Sequence, residues 1–195
     1  MTSFLYKKDV SINIPSFRTV CGDIAFGGNW YFYVNSDSLG IKISLENIVK
    51  FLKIGASIKE VMNQKKTFMH PVNSNISRNL LGVCFFSTKT KNEMIIGQKN
   101  IVVESTSFFD RSPCGTGTAG RMAILNARGE LPLGASFENI SITGASFTGT
   151  VLSNVKVGSL TGVESTLTGS ATVIGNAEWR LDQEDDFRFL DFKLK

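Results

Sequence analysis

The chain has 195 residues, a net charge of +4, 42% hydrophobic and 19% charged residues, enough for one domain with a real core, or one domain and a piece of another. No run approaches the ~20 apolar residues of a membrane-spanning helix, and residues 1–15 lack the basic stretch followed by an apolar one that marks a secretory leader. The positive charge raises nucleic-acid binding as a class, but the lysines are dispersed, without interleaved aromatics or zinc-ligand spacing, so a solvated surface and no nucleic-acid partner are expected.

In chain order, Ser11–Ile14 and Val20–Phe26 read as short strands, and Trp30–Val34, aromatic and β-branched after the turn Gly27-Gly28, as a third. Ser44 is a good helix N-cap. Behind it Leu45, Ile48, Val49 and Leu52 share one helical face, which Ile58, Val61 and Met62 resume, so a helix is expected over 45–63 with Gly55 softening or kinking its middle. Leu80–Glu104 reads as two or three strands joined by the polar turn Thr88–Asn92. Ala119–Ala127 is a compact apolar helix ended at Arg128-Gly129, where glycine is a common C-cap. From Ser136 onward Thr, Val, Ser and spaced Gly predict several strands with tight turns. The acidic run Asp182–Asp186 is expected to be a surface loop, and Phe187–Leu194 a last strand. No linker separates two compositions, so one domain is expected.

Three cysteines, Cys21, Cys84 and Cys114, are too few and scattered for a disulfide framework, and their odd number fits a reducing compartment, with the cytoplasm as the expected location. Cys114 stands apart. It lies in Asp110-Arg111-Ser112-Pro113-Cys114-Gly115-Thr116-Gly117-Thr118, at the opening of a helix. A helix N-terminus offers unpaired N–H groups and a positive dipole end, which favour a thiolate. The same N–H groups can hold a carboxylate, with glycines allowing close approach. Asp110, just upstream, can bind a cationic amine. Carboxylate pocket, amine partner and thiol together describe a site for an α-amino acid. The competing reading of these residues is a buried structural cysteine in a glycine turn. A phosphate-binding loop fails for want of a Gly-Lys-Ser/Thr ending.

That nine-residue string resembles the second catalytic-cysteine motif of the proline racemase family, which includes the 4-hydroxyproline 2-epimerases. Asn13-Ile14-Pro15-Ser16-Phe17, the stretch from Gly22 to Tyr31, Arg121-Met122-Ala123, Gly129-Glu130-Leu131, the segment from Ile142 to Gly149 and that from Gly169 to Gly175 carry the resemblance over nearly the whole chain. It implies an α/β (α+β) fold, a diaminopimelate-epimerase-like domain in which a mixed, β-rich sheet wraps around a central helix. It also implies that the chain is the second, C-terminal domain of such an enzyme, with the last strand, about 176–195, returning to the first domain.

The family's chemistry needs no cofactor and no metal. One cysteine removes the substrate's α-proton as a thiolate and another, as a thiol, supplies a proton to the opposite face. By resemblance Cys114 is the second of these, Asp110 holds the substrate amine, and Gly115 and Thr116 bind the carboxylate through backbone N–H groups. The family's first cysteine sits in Met-Cys-Gly-His, a string this sequence does not contain, and Cys21 and Cys84 read as packed small apolar residues. The expected partners are therefore a small-molecule substrate (proline or hydroxyproline) and a complementary N-terminal half or a second copy docking on an apolar inner face. No stand-alone racemisation is expected. Trp30 resembles the hydroxyproline epimerases, and Cys114 separates the chain from the trans-3-hydroxyproline dehydratases, which carry threonine there. The epimerases' upstream histidine aligns near Gly82. His70, the only histidine, reads as a packing residue. The alternative is a catalytically inactive folded remnant, or a partner-binding half of a split enzyme.

Overall fold

The structure, a computed structural model, describes residues 2–178 apart from 16, 66, 67, 77, 92 and 93. The acidic run 182–186 and the strand expected at 187–194 lie outside the described residues. Nine strands form one sheet: β1 (Thr2–Asn13), β2 (Thr19–Phe26), β3 (Trp30–Asn35), β4 (Gly82–Lys91), β5 (Met94–Val103), β6 (Phe109–Asp110), β7 (Ser136–Ser141), β8 (Ser146–Val157) and β9 (Leu160–Thr168). Among the described residues two α-helices accompany them, α1 (Ile48–Lys65) and α2 (Gly115–Ala127). The order is β4-β3-β2-β1-β9-β8-β7-β5-β6, and β4 also pairs with β5, so the sheet closes on itself as a barrel. β3–β4 and β5–β7 are parallel and the remaining pairs antiparallel, which makes the sheet mixed. Among the described residues no helix is long and apolar enough to cross a membrane.

The two helices occupy opposite sides of the barrel wall. Residues Gly117–Leu125 of α2 are all buried, the signature of a helix enclosed all round, and α2 is the central helix the sequence implied. α1 lies outside. Its Phe51, Ile58 and Met62 pack with Trp30, Phe32, Val34, Val83 and Phe85 in the larger core. Strand β3 divides the two cores by simple alternation. Trp30, Phe32 and Val34 face the core under α1, while Tyr31 and Tyr33 face α2 with Cys84, Val102 and Cys114. All five are buried, which is why the run reads as continuously apolar.

Several elements differ from expectation. β1 begins at Thr2 rather than near Ser11, despite the polar Lys7-Lys8-Asp9. Those residues form an irregularity in the pairing with β2, with Asp9 at φ 54°. Arg128, just past α2, clamps the irregularity through Asp9 at 2.7 Å and Asp23 at 2.8 Å. Ser44 precedes a single 3₁₀ turn, Leu45–Asn47, and makes no side-chain cap. α1 starts only at Ile48 and passes Gly55 unbroken. α2 begins at Gly115, inside the cysteine loop, and ends as expected, with Gly129 at φ 73° donating to the Asn126 carbonyl.

Candidate active site

The loop carrying Cys114 is bound to the barrel on both sides. β6 pairs with β5 through Val102–Asp110 and Val103–Phe109. Beyond it, Asp110 Oδ1 accepts the Ser112 N–H at 2.8 Å, and Ser112 Oγ accepts the Cys114 N–H at 3.0 Å. Ser141 and Thr143 donate hydroxyls to the Arg111 carbonyl at 2.7 and 2.6 Å. The Pro113 carbonyl accepts from Asn100 Nδ2 at 2.8 Å, Asn139 Nδ2 at 3.3 Å and Thr118 Oγ1 at 3.3 Å. Behind these, Gln98 Nε2 donates to Asn139 Oδ1, and Arg121 Nε donates to Gln98 Oε1. The Arg121 guanidinium, stacked 3.7 Å over Phe86, is lowered by burial to about 10 and stays charged at neutral pH.

These bonds hold Cys114 at φ 65°, ψ 112°, a conformation L-residues rarely adopt. It caps α2 with its own sulfur. Sγ accepts the Gly117 N–H at 3.4 Å and lies 3.5 Å from Tyr31 Oη and 3.6 Å from Thr116 Oγ1. Tyr31 Oη and Thr116 Oγ1 are themselves 2.8 Å apart. Close approach also explains Gly117. A Cβ there would stand 3.2 Å from both the Cys114 and Cys84 sulfurs, so glycine lets two thiols pack against one turn of helix.

The electrostatics correct one sequence expectation. Burial pushes the Cys114 thiol up, and hydrogen bonds from Tyr31, Thr116 and the Gly117 N–H offset this only in part, with the Asp110 charge adding to the rise. Desolvation outweighs the helix terminus, so the thiol is held protonated. Burial pushes Cys84 and Tyr33 up as well, and the neighbouring thiol of Cys84 weighs on Tyr33. Tyr31 is likewise held as a neutral phenol, by burial first and by the Cys114 charge second.

Cys114, Gly115 and Thr116 share the first turn of α2, and Asp110 ends β6 just ahead of it on the same stretch of chain. Gly115 has nothing within 4 Å of where a Cβ would stand, so its backbone is open from outside. A cavity of about 740 Å³ flanks the loop, lined by Phe108, Phe109, Asp110, Arg111, Ser112, Thr143 and Ala145. Phe108 is 55% exposed there. Trp30 stands apart from the loop, in the core under α1. His70 packs edge-on to Phe4 and Phe26, as expected of a packing residue. Cys21 is exposed on β2, contrary to its reading as a packed residue, because its neighbours Val20 and Ile24 take the core-facing positions. Cys84 is packed as expected, but against the site. Sequence reasoning missed Tyr31, Asn100 and Asn139 as neighbours of the loop: Tyr31 showed only as the end of the Gly22–Tyr31 segment that carries the resemblance, and Asn100 and Asn139 only as polar residues on β5 and β7.

The sequence profile of the proline racemase family matches residues 1–189. The chain belongs to the proline racemase family. It is 34% identical over 186 residues to a proline racemase of Clostridioides difficile, covering 95% of this chain and 55% of that one. It is 36% identical over 187 residues to a trans-3-hydroxy-L-proline dehydratase of Burkholderia ambifaria, covering 96% and 55%. A hydroxyproline epimerase of Agrobacterium vitis, solved with bound trans-4-hydroxy-L-proline, superposes with a TM-score of 0.83 at 30% identity over 90% of this chain and 50% of that one. The proline racemase relatives thus include isomerases and a dehydratase, and this chain spans about half the length of the curated relatives it matches.

Proposed function

We propose that Cys114 is one of two acid/base groups of an amino-acid epimerase acting at Cα of proline or 4-hydroxyproline, and that this chain is the domain carrying that group. The observation that carries the reading is the turn itself. A thiol caps α2, an open glycine backbone lies beside it, and a carboxylate sits on the same loop. Asp110 holds the substrate ammonium. The N–H groups of Gly115 and Thr116 hold its carboxylate, as a helix N-terminus does for anions. This places the Cα hydrogen toward Cys114. A thiol held protonated suits the proton-donating direction, and bringing the substrate ammonium near the sulfur favours the thiolate for the reverse.

Among the described residues, neither other cysteine can serve the opposite face. Cys84 is buried beside Cys114, and Cys21 is exposed on β2, where it lines a separate cavity with Asp9 and Arg128. The second acid/base is assigned to a complementary half that docks against the loop, where Phe108 and Phe109 border the cavity. Excluding water from the site and supplying the second acid/base both need a wall facing this one. Exchange and inversion at Cα of L-proline and trans-4-hydroxy-L-proline, followed in deuterium oxide, test this. The chain alone is expected to give no inversion. Adding the separately produced first half of a relative is expected to restore it, and Cys114→Ser to abolish the restored activity. Inversion by this chain alone, or full activity of Cys114→Ser, would overturn the reading.

A second reading, a binding domain without turnover, has one specific support. The upstream histidine of the hydroxyproline epimerases falls near Gly82, where a Cβ would stand 2.6 Å from the Val103 carbonyl oxygen. The β4–β5 pairing thus has no room for a side chain at that position. Binding of proline without inversion after complementation would favour it.

A further inference from the structure

We infer that Tyr31 is a positioning residue for Cys114, supplying the hydroxyl that the sulfur recruits as its hydrogen-bond donor on losing its proton. This deepens the reading of Cys114 as an acid/base group and rests on it for its catalytic meaning. Tyr31 belongs to β3, and Cys114 is 83 residues further along the chain, so the contact exists only because the barrel wraps β3 around α2.

The geometry is a closed triangle. Cys114 Sγ, Tyr31 Oη and Thr116 Oγ1 stand 3.5, 2.8 and 3.6 Å apart, pair by pair. While the thiol is protonated, each of the three atoms carries one hydrogen, enough for every side of the triangle to be a hydrogen bond. When the sulfur gives up its proton, two hydrogens remain for three sides. The negative sulfur can accept but no longer donate, and charge-assisted bonds are the stronger ones. Whichever way it pointed before, the phenol hydrogen is therefore drawn to the sulfur, joining the Gly117 N–H already there. Ionisation thus needs at most a rotation of hydroxyl hydrogens and no movement of heavy atoms.

Tyr31 suits this role for two reasons. A phenol O–H is a stronger donor than the aliphatic hydroxyl of Thr116. Burial also keeps Tyr31 protonated well above the ordinary phenol range, so the donor persists as the pH is raised. The other titratable groups facing the sulfur either oppose ionisation or stay neutral. Asp110 from β6 and Cys84 from β4 bring no positive charge, and Tyr33 from β3 donates to the Gly117 carbonyl at 2.9 Å instead of to sulfur. Tyr31 is thus the side chain whose removal the thiolate should feel most.

The test reads sulfur ionisation, so a chain without racemase activity serves equally well. The full chain carrying Cys21→Ser, which removes the exposed thiol, is alkylated with iodoacetamide from pH 6 to 10.5, and the label on the Cys114 peptide is quantified by mass. Tyr31→Phe keeps the ring and removes the donor. It is expected to raise the midpoint by about one pH unit and lower the rate at pH 8 about tenfold. Tyr33→Phe, which removes a hydroxyl from the same cluster but not from the sulfur, is expected to leave the midpoint in place. Should Tyr31→Phe fail to fold, fluorotyrosine at Tyr6, Tyr31 and Tyr33, a stronger donor of nearly the same shape, is expected to lower the midpoint. An unchanged midpoint in Tyr31→Phe or with fluorotyrosine, or equal shifts in the two phenylalanine variants, would overturn the inference.

Discussion

Cys114 occupies backbone that suits glycine better than any other residue, at φ 65° and ψ 112°. Such strain costs on the order of 1–3 kcal/mol and persists only where the surroundings fix it, here through the Pro113 carbonyl and its three donors. Two variants separate strain from chemistry, since both lose the sulfur. Cys114→Gly is expected to be more stable than Cys114→Ala by about 1 kcal/mol in urea unfolding; equal stabilities would mean the turn is relaxed. At this scale the proposed site residues Asp110, Cys114, Gly115 and Thr116 could be singled out in the sequence because one short stretch carries them. Tyr31 and Asn139 were not, because each reaches the loop across the barrel, and nothing local in Trp30–Val34 says which alternate residues face α2. The ionisation of Cys114 is hard to read from sequence for a related reason. A helix terminus shows in the sequence, whereas the burial that outweighs it is made by distant strands.

Helix α1 carries the same lesson for a whole element. Its apolar face predicted it to within three residues at each end, yet Gly55 was read as a weak point in the helix. It is a contact. A Cβ at Gly55 would stand 2.7 Å from Val103 Cγ1 and 3.2 Å from Phe85 Cε2, so α1 lies close on β4 and β5 because this position has no side chain. Gly55→Ala therefore sets a helix-propensity gain of about 1 kcal/mol against overpacking of about 1–3 kcal/mol. The variant is expected to be destabilised by about 1 kcal/mol in thermal or urea unfolding, and to recover in a Val103→Ala background, where the two changes are not additive. A stabilised Gly55→Ala would show that α1 can lift away freely. Strand β1 was the least legible element. Lys7-Lys8-Asp9 break its alternation, and only the clamp from Arg128 to Asp9 and Asp23 makes that irregularity part of the sheet.

For the whole molecule, enclosing α2 buries four weak acids around one turn: Tyr31, Tyr33, Cys84 and Cys114. Each is pushed above its ordinary value, mainly by burial. The sign follows from linkage. The unfolded chain releases its thiol protons near the ordinary 9.0 while the folded chain still holds them, so unfolding becomes easier as pH rises from about 9 toward the raised folded values. The urea midpoint is expected to be flat from pH 6 to 8 and to fall between pH 9 and 10.5, less steeply in Cys84→Ala. A midpoint constant to pH 10.5 would contradict the burial that defines this core. The family and its mixed sheet around a central helix were legible because different motifs of the family are spread over nearly the whole chain. The closure of the sheet was not, since no local pattern announces which strands meet.

That closure also orders events in time. The ring pairs β1 with β9, with Thr2 opposite Glu164, so on a ribosome β1 emerges long before its second neighbour exists. α2 is synthesised ahead of β7, β8 and β9, three of the strands that will enclose it. Pairings so distant in sequence form slowly, and an open strand edge meanwhile invites the wrong partner. The face of α2 around Met122 and Leu125 thus waits for Phe137, Val151 and Val163, whereas the strands that pack against Cys114 are already made when it emerges.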